Sequence, residues 1–200
     1  MRVRAVDLPS TSPNPPPDTN LSTDAAAVRE VIEQLGDEVV VCGHSYGGMV
    51  ISHPAVGTHP QVARLVYLCA FMPDSGQSLL SLRGGQNAPW IRTDERGMTL
   101  PDPEQALAAF YGDCDPATQQ WALGQLRPQP EACYLEPVTT AAWTSTPSTY
   151  IVCRQDGAIP LELQLGLLAP KAQEILELNA SHSPFLSQPA ALAELLAGGR

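Results

Sequence analysis

Basic residues are scarce in this chain: 11 Lys and Arg stand against 21 Asp and Glu, a formal net charge of -10 over 200 residues. That balance argues against nucleic acid or an anionic membrane surface as a partner, because both require a cationic face. Long apolar runs are missing too. No stretch approaches the ~20 residues that a bilayer crossing needs, and "MRVRAVDLPS" lacks the apolar segment of a secretory leader. A cytoplasmic protein with no membrane contact is the expectation. No C-x-x-C pair occurs among the five cysteines, and Cys42, Cys69 and Cys153 lie inside apolar, strand-like runs. Reduced, buried thiols are therefore expected. The histidines (His44, His53, His59 and His182) show no metal-ligand spacing with cysteine or carboxylate, so no metal site is expected.

What the chain does have is a core: 44% of its residues are hydrophobic, enough at this length for one domain of ordinary size. The run Val39-Val40-Val41-Cys42 is short and apolar without polar alternation, which predicts a strand buried on both faces of a parallel sheet. It stops abruptly at Gly43-His44-Ser45-Tyr46-Gly47, a G-x-S-x-G pattern. Such a pattern marks a nucleophile elbow, where a sharp strand-to-helix turn lifts a serine oxygen clear of the sheet. The two glycines are expected to serve close backbone approach and unusual dihedrals.

Elsewhere strands and helices alternate. "RVRAVDLP" reads as a short strand followed by a proline-rich loop. A helix then runs to Gly36, with Ser22 or Thr23 as its cap and Ala25, Val28, Val31, Ile32 and Leu35 at helical spacing. "ARLVYLCAFMP", "STYIVC" and "EILELN" read as further strands, and Pro54 should cut short the helix after the elbow. The chain thus reads as α/β, with a largely parallel sheet and helices on both faces. Three segments emerge: residues 1–73 with the elbow, 74–147 as a helical cap, and 148–200 as the rest of the core. Asp102 and Asp115, each followed by proline, open two cap helices. Trp90, Trp121 and Trp143 all fall in the cap and are candidates for binding substrate, with the alternative that they only hold the cap together.

A serine hydroxyl needs a base, and the base needs an orienting group. Asp156 follows the strand "STYIVC" and His182 follows "EILELN", so both loops reach the strand ends where the elbow opens. Ser45, His182 and Asp156 are the candidate nucleophile, base and acid, and Asp156 is preferred to Asp74 on chain order. His44 is expected to buttress the elbow, while His53 and His59 read as surface loop residues.

"VRAVDLPS", "GHSYGGMVI", "VARLVYLCAFMP", "PSTYIVCRQDGAIP" and "ASHSPFLSQPAAL" together resemble α/β hydrolases of the subgroup that includes salicylate-type methylesterases, hydroxynitrile lyases and bacterial esterase-like relatives. The resemblance implies hydrolysis of small carboxylic esters or lactones without a cofactor, and a backbone N–H of Tyr46 in the oxyanion hole. It also implies a strand with an "HG" loop between the "RVRAVD" and "VVVC" strands, which this chain lacks. A truncated, poorly soluble and nearly inactive chain is one expectation, and a vestigial binding protein is the alternative function. A lyase is a further alternative, weakened because Ser183 stands where lyase members carry lysine.

Overall fold

The computed structural model describes residues 2–198. Its seven strands are β1 (Val39–His44), β2 (Val62–Leu68), β3 (Ile91–Thr93), β4 (Met98–Pro101), β5 (Gln129–Pro130), β6 (Ser148–Cys153) and β7 (Glu174–Leu178). Four of them form one parallel sheet in the order β1-β2-β6-β7. The other three form a small antiparallel sheet, β3-β4-β5, inside the segment that the sequence reads as helical. These strands are only two to four residues long and carry Pro101 and Pro130, so they show no alternation that would betray them.

The parallel sheet sorts its side chains by the two-residue period of a strand. Along β2, Leu65 and Tyr67 face one core with Tyr150 and Val152 of β6, while Val66 and Leu68 face a second core with Ile151 and Leu178. Helix α1 (Leu21–Leu35) covers the first core, burying Leu21, Ala25, Val28 and Ile32 at helical spacing. Its true cap is Asn20, which exchanges hydrogen bonds with Thr23, and it ends at Gly36 with φ 71°, a left-handed stop that glycine adopts without strain. The helix Pro189–Gly198 covers the second core with Leu192, Leu195 and Leu196. The buried side chains of Leu21, Val28, Ile32 and Leu192 each contribute about 1.5–3 kcal/mol relative to exposure.

Two buried tyrosines bind the sheet's centre. Tyr67 and Tyr150 are register partners on β2 and β6, with parallel rings 6.4 Å apart. Their hydroxyls are satisfied internally, Tyr67 with Ser52 Oγ at 2.8 Å and Tyr150 by donating to the Ala70 carbonyl at 2.9 Å.

Three expectations change: the strand at the start of the chain, the burial of β1 and the burial of Cys42. Residues 2–7 belong to no strand, and the chain turns through a short 3-10 segment, Pro9–Thr11, before α1. β1 is not buried on both faces: Val40 is 55% exposed and Cys42 is exposed, because alternate residues of this edge strand point to a face that no helix among the described residues covers. Cys69 and Cys153 are buried as expected, and all five cysteines are free. Among the described residues no helix is long and apolar enough to cross a membrane.

Candidate active site

β1 ends at His44, and helix α2 (Gly47–Ser52) begins two residues after the turn residue Ser45. Ser45 has φ 54°, a left-handed conformation that costs a non-glycine residue about 1–3 kcal/mol unless its surroundings enforce it. They do. Its carbonyl accepts from the Gly48 and Phe71 N–H groups, both at 3.1 Å, and its own N–H donates to Leu68 at 3.4 Å. Close packing is demanded at Gly43, where a Cβ would lie 2.5 Å from the Gly47 carbonyl oxygen, and at Gly48, where it would lie 2.1 Å from that of Phe71. Gly47 has open space around it, so the second glycine of the pattern is not sterically required. The Tyr46 N–H has no backbone acceptor among the described residues.

Asp156 and His182 come together at the ends of β6 and β7. His182 Nδ1 donates to Asp156 Oδ2 at 2.8 Å, which leaves Nε2 as the basic nitrogen. Both side chains are buried. The other carboxylate oxygen accepts from Ala158 and Ile159 N–H at 2.7 and 2.9 Å. Gln164, fully buried on a π-helical turn (Gln164–Leu168), donates to Asp156 Oδ2 at 3.2 Å. The same amide donates to Ile159 O and Cys153 O and accepts from Cys153 N–H, so its orientation is fixed. Nothing in "LELQLGLL" distinguishes this glutamine from an ordinary polar residue. Asp74 lies elsewhere, paired with Lys171 Nζ at 2.9 Å, while the same ammonium donates to Met72 O at 2.8 Å.

His44 Nε2 donates to the main-chain carbonyl of His182 at 2.7 Å, and the two rings are 4.5 Å apart. A carbonyl only accepts, so His44 is held as the Nε2–H tautomer. Burial, with the neighbouring His182, pushes its pKa down to about 3. The Cys69 thiol donates to the same carbonyl at 3.4 Å. His44, Cys69 and His182 bring potential ligand atoms within 4.8 Å of one another, but the His44 and Cys69 atoms are already engaged in holding the histidine loop. His53 and His59 are half-buried rather than loose surface residues: each accepts a backbone N–H, from Ala55 and Gln61, and so shapes a turn.

The segment 74–147 meets this loop through Asp113. Its carboxylate accepts from the Ser181 N–H at 3.0 Å and from the Ser181 hydroxyl, one residue before His182. These hydrogen bonds hold the Asp113 carboxyl below the ordinary carboxylate range although partial burial opposes them. Phe110 stacks on His182 at 5.3 Å, and Trp90 packs edge-on behind Phe110 at 5.2 Å. Ser45 and His182 line one cavity of about 430 Å³ together with Phe110, Trp121 and Phe185. Of the three tryptophans, Trp121 is a wall of that cavity. Trp143 packs against the main core, its indole N–H donating to Pro73 O at 2.6 Å.

A parallel sheet whose strand-end turn carries a strained serine, beside a buried acid–histidine pair, defines an α/β hydrolase architecture. The model of the family described as "Alpha/beta hydrolase family" matches residues 1–195, and the chain belongs to that family. It is similar to alpha/beta hydrolase nvfD of Aspergillus novofumigatus, 34% identical over 201 residues that cover 92% of this chain and 80% of that protein. A carbendazim hydrolyzing esterase of a Nocardioides species is 27% identical over 176 residues, covering 80% of this chain and 71% of that protein. Among solved structures, a pyrethroid hydrolase from Sphingobium faniae shares the fold with a TM-score of 0.76 at 23% identity, over 96% of this chain and 83% of that one.

Proposed function

We propose that this protein is a serine hydrolase of small carboxylic esters or lactones that works through an acyl-enzyme on Ser45. The observation that carries the reading is the strained Ser45 facing a cavity it shares with His182, whose other nitrogen is held by Asp156. Ester hydrolysis as a class is supported by similar proteins named as esterases and hydrolases. His182 takes the serine proton as Oγ attacks the ester carbon, and Asp156 keeps the imidazole in the right tautomer. The Tyr46 N–H meets the developing oxyanion. Residues 74–147 act as the substrate cover over a core made of residues 1–73 and 148–200, with Trp121, Trp90 and Trp143 as cap residues of decreasing nearness to substrate. No cofactor enters the reaction.

Incubation with p-nitrophenyl acetate should leave one acetyl group on the intact protein, located at Ser45 by peptide mass spectrometry, and Ser45→Ala should abolish both the adduct and turnover. Turnover by Ser45→Ala at the parent rate defeats the proposal. A second reading, a binding protein of the same fold that does not turn over, is favoured by one observation: β1 is an edge strand among the described residues, with no further strand beside the elbow to bring a second donor to the one assigned to Tyr46. Loss of one such donor costs ~100 to 1000-fold in rate. Stoichiometric binding of an ester without acylation would support that reading.

A further inference from the structure

Ser45 borders two cavities, and they are unequal. The larger, about 430 Å³, contains His182, Phe110, Trp121, Phe185 and Leu186 in its wall. The smaller, about 170 Å³, runs past Tyr46 and is lined by Ile91, Thr99, Leu100, Gln129 and Tyr134, and His182 is not part of its wall. Ligand pockets ordinarily span ~300–1,000 Å³, so the first is of usual size for a ring-bearing group and the second is not.

The chemistry decides which half of an ester enters which cavity. In acylation the Ser45 Oγ–H proton moves to His182 Nε2 as the Oγ–C bond forms. When the tetrahedral species collapses, the bond from carbon to the alkoxy oxygen breaks, and the same proton passes from Nε2 to that oxygen to release the alcohol. The alkoxy oxygen must therefore point toward His182, and the carbonyl oxygen toward the Tyr46 N–H. Only the larger cavity carries His182, so the alcohol part extends into it and the acyl part is left with the smaller one.

On this basis, and resting on the serine-hydrolase reading above, we infer that the substrates are esters of a short acyl group with a bulky apolar or aromatic alcohol. At the packing density of protein interiors the smaller cavity accepts an acyl chain of up to about six carbons. The apolar walls of the larger, including the 59% exposed Trp121 and the 44% exposed Phe185, gain burial when a ring binds.

The test uses two isomeric esters with the same ring on opposite sides of the linkage and alkyl alcohols in both: 2-naphthylmethyl acetate and methyl 2-naphthylacetate. The first should show a kcat/KM at least about tenfold higher, a difference of the size a pocket mismatch imposes. Ile91→Ala, which opens the smaller cavity, and Trp121→Ala, which strips the larger, should each reduce that ratio. Hydrolysis of both isomers with equal rates or the reverse preference overturns the inference while leaving the hydrolase reading intact, and so does a ratio that neither variant moves. Hydrolysis of neither isomer, with no acylation of Ser45 by p-nitrophenyl acetate, overturns both.

Discussion

At the scale of single residues, the elbow depends on backbone approach more than on the spelled pattern. Gly43 and Gly48 face carbonyl oxygens at distances that no Cβ occupies, whereas Gly47 does not. Gly48→Ala is expected to destabilise the fold by several kcal/mol, because the atom it strikes belongs to backbone and cannot rotate away, while Gly47→Ala should melt within a few degrees of the parent. Thermal melts of the two variants check this, and equal melting temperatures would contradict it. The sequence could not separate the two glycines. The oxygen that makes Gly48 necessary belongs to Phe71, in the loop after β2, and that proximity exists only once β1 and β2 have paired. The same holds for His44, legible as a buttress beside the serine but not as a donor to the carbonyl of His182.

Among the elements, the loops after β6 and β7 hold the proposed acid and base, and their strands are readable because β-branched and apolar runs end in loop residues. Asp156→Asn should lower kcat by ~10,000-fold through the wrong histidine tautomer. Asp74→Asn should leave kcat within about a factor of ten, since its partner is Lys171, at a modest ionic cost. Steady-state kinetics of both variants on one ester decide the matter, and the reverse ranking would move the acid to Asp74. Reading failed where an element depends on what lies beside it. β1 looked like a central strand from composition, but its exposure follows from a face without a covering helix. The segment 2–7 looked like a strand, but it has no pairing partner among the described residues. The Gln164 turn left no pattern, because its amide serves three backbone groups and one carboxylate that the fold alone brings together.

Across the whole molecule, buried neutral imidazoles tie stability to acidity. The pKa of His44 is held at about 3 against an ordinary 6.5, and that of His53 is also lowered by burial. Below about 6.5 the unfolded chain binds protons at these sites more readily than the folded chain, so their contribution is complete above that pH and is lost as pH falls toward the folded values. Asp24, raised by burial, acts in the opposite sense, but only nearer the carboxylate range. The melting temperature should therefore drop between about pH 7 and about pH 5, and His44→Gln should flatten part of that slope, with His53 contributing in the same direction. Melts of parent and variant across this range test it, and parallel curves would remove His44 as a cause. The contact between Asp113 and Ser181 has a different consequence, one for anyone re-engineering the chain. Asp113 lies in the segment 74–147 proposed as the cover yet accepts hydrogen bonds from the loop after β7, so on that proposal the cover is not an interchangeable module. A cover grafted from a relative to obtain a new specificity has to bring its own carboxylate to Ser181, or the graft will acquire the new pocket and lose the anchored histidine it was meant to serve.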